Sequence, residues 1–81
     1  MEIRIYGAGC AKCRASHELI ARVVEETSAD VTVTKVEDLA EIAGKGILST
    51  PGIEVDGEMK MIGKVPTRAE VLEWIGASAS A

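Results

Sequence analysis

Cys10-Ala11-Lys12-Cys13 contains the only two cysteines of the chain. Two thiols at this spacing can close into a disulfide or supply half of a metal site, and no further cysteine is left to build a disulfide framework. Thiol–disulfide exchange needs an exposed attacking thiolate and a second thiol close enough to release the mixed disulfide. The pair stands where a strand pattern gives way to a helix pattern. Cys10 falls at the helix start, where unpaired backbone N–H groups and the positive end of the dipole favour an anion. Cys13 lies one turn further in, on the stripe that continues to Ile20. Cys10 is therefore the candidate nucleophile and Cys13 the candidate resolving thiol. Lowering a thiol pKa from about 8.5 to about 7 raises its thiolate fraction at neutral pH from roughly 3% to roughly 50%. Lys12 is a nearby cation that could push in that direction, although a solvated charge on an exposed turn explains it equally well. Closing so short a ring is worth only about 2 kcal/mol of chain entropy, equivalent to about 40 mV for a two-electron couple. A bond of that size suits opening and closing better than holding a fold.

The elements that must position this pair are legible from hydropathy patterning. Glu2-Ile3-Arg4-Ile5-Tyr6 alternates and predicts a strand. Gly7-Ala8-Gly9 is a permissive loop. Over residues 10–27 the apolar Cys13, Ile20, Val23 and Val24 recur at helical spacing, with Glu18, Arg22, Glu25 and Glu26 outward. The β-branched run 31–36 predicts a second strand. A short helix follows, opened by Asp38 and Glu41 as a capping box and closed by Gly44 in a left-handed cap. Ile53-Glu54-Val55 and Met59-Lys60-Met61 are alternating runs joined at Asp56-Gly57, a hairpin signal. Thr67-Arg68-Ala69-Glu70 repeats the capping box and opens a last helix with Val71, Leu72, Trp74 and Ile75. The order is βαβαββα: an α/β fold whose first two strands run parallel and whose hairpin is antiparallel, giving a four-stranded mixed sheet with helices on both faces.

Length and composition set the outer limits. The 81 residues make one domain, 1–76, with a flexible C-terminal tail expected over 77–81. The pattern enters a strand directly after Met1, with no basic and apolar leader, so a cytoplasmic location is expected. In a reducing compartment a lone Cys-x-x-Cys is catalytic or metal-binding more often than structural. A net charge of −4 argues against nucleic acid or an anionic membrane as partner. With Tyr6 and Trp74 the only aromatic residues, there is no platform for stacking bases.

The Gly-x-Gly-Cys-x-Lys-Cys wording after the first strand, the small size and Ser49-Thr50-Pro51 before the hairpin resemble the small thioredoxin-like, or glutaredoxin-like, redox-active disulfide proteins of archaea and bacteria. The resemblance covers residues 2–76 and implies the thioredoxin fold, with a cis Thr50–Pro51 bond lying against the cysteines. Such a bond leaves the Thr50 backbone free to pair with an extended substrate near Cys10. It further implies a thiol–disulfide oxidoreductase that needs no bound cofactor. Its partners would be a disulfide-containing protein as substrate and a disulfide reductase or low-molecular-weight thiol as electron donor, and it would act as a monomer. The chain departs from the family pattern at three places. Gly9 stands where thioredoxins have a tryptophan, and Arg4 where they bury a carboxylate six positions before the first cysteine. Ala11-Lys12 replaces the residues between the cysteines. The proton acceptor for Cys13 is thus left open. Gly63 either shapes a peptide groove or glutathione site or, more commonly, only permits a turn before Thr67.

The alternative reading is a metal-binding module or metallochaperone. Heavy-metal-associated domains carry Cys-x-x-Cys after a first strand, but their elements run βαββαβ and a methionine stands where this chain has Ala8. His17 could add a third ligand, but a closed zinc site wants four, and a lone histidine is more often a helix-surface residue. Met59 and Met61 read as core fillers rather than as thioether ligands. No metal site is therefore expected.

Overall fold

A computed structural model describes the backbone of residues 1–79, with side chains through Gly76. Of the tail expected over 77–81, residues 77–79 continue the last helix in their backbone, and 80 and 81 lie outside the described residues. The chain forms β1 (Glu2–Tyr6), α1 (Ala11–Thr27), β2 (Thr32–Val36), α2 (Leu39–Gly44), β3 (Gly52–Val55), β4 (Glu58–Ile62) and α3 (Arg68–Ala79). The sheet order is β2-β1-β3-β4, with β1 and β2 parallel and the other pairs antiparallel. This is the βαβαββα mixed sheet that the patterning predicts.

The alternation of β1 sorts its side chains between two cores. Ile3 and Ile5 join Ile20 and Val23 of α1, Ile53 and Val55 of β3, and Val71 and Ile75 of α3. Tyr6 packs on the opposite face with Val36, Ile42 and Ile47, beneath α2. Met59 and Met61 fill one core each, although residues two apart on a regular strand share a face. The cause is a bulge. Ile53 pairs with Met61 and Glu54 with Met59, which leaves Lys60 as the extra residue and turns the methionines to opposite sides.

The turn chemistry follows the sequence closely, with one shift. Asp56 and Gly57 both have positive φ, 48° and 84°, as a two-residue hairpin of this hand requires. The Thr67 amide donates to Glu70 Oε1 at 2.9 Å and the Glu70 amide to Thr67 Oγ1 at 3.2 Å, a complete capping box. Asp38 Oδ1 accepts from the Ala40 amide at 2.8 Å and caps α2. The left-handed residue after α2 is Gly46 (φ 73°) rather than Gly44, because Lys45 continues in right-handed geometry.

Candidate functional site

Cys10 is the N-cap of α1 and not its first helical residue, with extended backbone at φ −70° and ψ 162°. Its carbonyl accepts from the Arg14 amide at 3.0 Å, and its Sγ accepts from the Cys13 amide at 3.1 Å. The sulfur thus occupies the place that a serine or aspartate oxygen takes in an ordinary cap. The first turn carries no acidic side chain to offset the positive end of the helix. Ser16, fully buried, donates to the Lys12 carbonyl at 2.8 Å and ties that turn together.

Cys10 and Cys13 are joined in a disulfide. Cys10 is partly exposed, whereas Cys13 is 5% exposed. Gly7, at the end of β1, is what lets Cys13 sit so close to the sheet: a Cβ there would overlap Cys13 Sγ and also meet Thr50 Cβ at 3.6 Å. From the other side, Thr50 Oγ1 lies 3.6 Å from Cys10 Sγ. A disulfide sulfur has no proton, so the hydroxyl is the donor.

The Thr50–Pro51 bond is cis, as the resemblance implied, and Pro51 is buried. The Pro51 carbonyl accepts from the Gly63 amide at 2.8 Å. Gly63 has φ 79°, and a Cβ on it would come within 3.0 Å of Ser49 Oγ. The glycine is therefore packed against the Ser49-Thr50-Pro51 loop rather than only turning the chain toward Thr67. Lys12 is exposed on the first turn of α1. Arg4 pairs with Glu2 at 3.1 Å on the α2 side of β1, so no carboxylate occupies that position.

Three features escaped the sequence reading. A cavity of about 30 Å³ lies beside Cys13, lined by Ile5, Gly7, Gly9, Arg14, His17, Lys35 and Glu37. His17 is half-buried on its wall and is not a free surface residue. Leu48 is 99% exposed two residues before Thr50, and Ile62, paired with Gly52, is 46% exposed. Finally, Glu54 is buried at 4% exposure. It accepts from the Tyr6 hydroxyl at 3.1 Å and pairs with Lys45 at 3.1 Å. That hydrogen-bonded carboxylate raises the Lys45 pKa above the ordinary lysine value. Among the described residues, no three His, Cys, Asp or Glu side chains are grouped to hold a metal ion. No described helix is long and apolar enough to cross a membrane.

An accessible half-cystine at a helix N-cap, its partner buried behind it and a cis-proline loop alongside define a dithiol–disulfide protein of thioredoxin fold. A family model described as a thioredoxin domain matches residues 1–76. Over 71 residues the chain is 35% identical to a thioredoxin of Methanothermobacter thermautotrophicus, covering 88% of this chain and 92% of that one. It is 39% identical, also over 71 residues, to a thioredoxin of Methanocaldococcus jannaschii, covering 88% and 81% respectively. The chain belongs to the thioredoxin family, with that family's general role in thiol–disulfide oxidoreduction.

Proposed function

We propose that this protein reduces disulfides in other proteins through its Cys10–Cys13 pair. The observation that carries the reading is the asymmetry of the pair, with Cys10 reachable at the helix N-cap and Cys13 shielded behind it. In the reduced protein the Cys10 thiolate attacks one sulfur of the substrate disulfide and expels the other as a thiolate. Cys13 then attacks Cys10 Sγ, closing the intramolecular disulfide and releasing the second substrate sulfur. The helix N-terminus favours the thiolate form of Cys10, and Lys12 adds positive charge on the same turn.

Thr50 and Pro51 are the proposed substrate-contacting residues. The loop that holds them flanks Cys10, and the exposed Leu48 and Ile62 offer apolar contact beside it. An extended peptide running along this loop would bring its disulfide onto Cys10. A disulfide reductase or a low-molecular-weight thiol returns the electrons, no bound cofactor takes part, and the protein works as a cytoplasmic monomer.

Trapping tests the division of labour. With a protein disulfide as substrate, Cys13→Ser should accumulate a covalent adduct through Cys10, visible by intact mass, while Cys10→Ser should form none. An adduct of equal yield through Cys13 in the Cys10→Ser variant would reverse the assignment.

A further inference from the structure

Resting on the exchange reaction proposed above, we infer that His17 accepts the Cys13 proton through a water held in the cavity that both residues line. Cys13 must lose its proton before it can attack the mixed disulfide, yet it is almost wholly buried, and a thiol held out of water resists ionisation. Arg4, six residues before Cys10, is engaged with Glu2 on the other side of β1. An arginine accepts no proton. The acceptor has to be sought elsewhere.

The cavity supplies a route. Cys13 and His17 both line this space of about 30 Å³. A space of that size admits about one water, which needs polar partners of the kind found here. His17 lies four residues after Cys13 on α1, and therefore on the same helix face. Proton transfer through a single water is within the reach of a general base.

The other charged groups on the cavity wall are Arg14 from α1, Lys35 from β2 and Glu37 just beyond it. α3, also packed on α1, meets it through Arg68 and Glu26 at the far end of the helix. Arginine and protonated lysine cannot accept a proton. As side-chain types, a carboxylate ordinarily titrates about 4 units below a thiol and an imidazole only about 2, which makes the imidazole the better matched acceptor. The two cations favour the thiolate once formed, and Glu37 shares the cavity lining with His17.

The step balances without a further reagent. The Cys13 proton passes to the water as the water gives one to the His17 imidazole. The Cys13 thiolate attacks Cys10 Sγ, the Cys10–substrate bond breaks, and its electron pair leaves on the substrate sulfur. That sulfur takes up a proton from solvent or from the imidazolium, and His17 is reset.

The test uses the full reduced chain and the aromatic disulfide dithiobis(nitrobenzoate), followed by stopped flow. The first coloured thiolate reports attack by Cys10 and the second reports resolution by Cys13. In His17→Gln the first phase should match wild type, while the second should slow by roughly tenfold near neutral pH. The gap should narrow as pH rises and the Cys13 thiol comes to ionise unaided. Added imidazole should restore the second phase in His17→Ala. A second phase with wild-type rate and pH profile in both variants would overturn the inference, as would a slowing that is equal at every pH. Failure of the underlying exchange reading shows differently, as a first phase that does not depend on Cys10.

Discussion

Two polar clusters of this small protein, one on either side of the sheet, are built on opposite plans. Glu54, Tyr6 and Lys45 form a closed set: the buried carboxylate takes a hydroxyl on one oxygen and an ammonium on the other. Every buried side-chain nitrogen and oxygen among the described residues has a partner. The end of the molecule that carries the dithiol is open. Cys10 is reachable, a water-sized gap lies beside Cys13, and Leu48 stands fully in solvent. A satisfied polar network beneath α2 fixes one arrangement of side chains, whereas the open end leaves space for sulfur, proton and peptide to move. The comparison separates residues that hold the fold from residues that use it.

The sharpest way to break that separation is Gly7→Ala, because Gly7 is where the two roles meet. A Cβ there would overlap Cys13 Sγ. The expected outcome is a loss of about 1–3 kcal/mol in denaturant unfolding from overpacking. A fall of roughly 10²-fold in disulfide exchange should accompany it as the sulfurs lose their geometry. Wild-type exchange in this variant would show that the close approach of β1 to Cys13 is incidental.

Glu54→Ala should do less, and only to stability. It leaves the buried Tyr6 hydroxyl without its acceptor, a loss of about 1–2 kcal/mol, with the rate of attack by Cys10 unchanged. The penalty should depend on pH in a defined direction. Glu54 holds the Lys45 pKa above 10.5, so the pairing contributes fully below that value and is lost as pH rises through the raised one. The difference in stability between wild type and Glu54→Ala should therefore be constant through neutral pH and shrink in strongly alkaline solution. A reduced exchange rate at unchanged stability would instead assign Glu54 to the chemistry.

Much of this was readable before any coordinates. Period-two alternation and capping residues gave the order of elements, since each local signal agrees with the fold. The place of Cys10 at the helix start follows from the strand-to-helix switch around it, although the helix itself opens one residue later, and the cis Thr50–Pro51 bond follows from family resemblance. What stayed hidden depends on contacts between distant segments. Ile53-Glu54-Val55 reads as a half-exposed strand, but β3 lies between β1 and β4 with both faces covered, so Glu54 is buried. The two methionines part company at a bulge that their spacing does not reveal. His17 becomes notable only because Lys35 and Glu37, about twenty residues away, line the same cavity.

The central claim is that the Cys10–Cys13 pair cycles between dithiol and disulfide. Its most direct test is a redox titration of the purified protein in defined thiol–disulfide buffers, read by alkylation and intact mass, with metal content assayed on the same sample. The account predicts a reversible two-electron transition of metal-free protein that disappears in Cys10→Ser. A pair that forms no intramolecular disulfide and stays protected from alkylation by stoichiometric metal would contradict it.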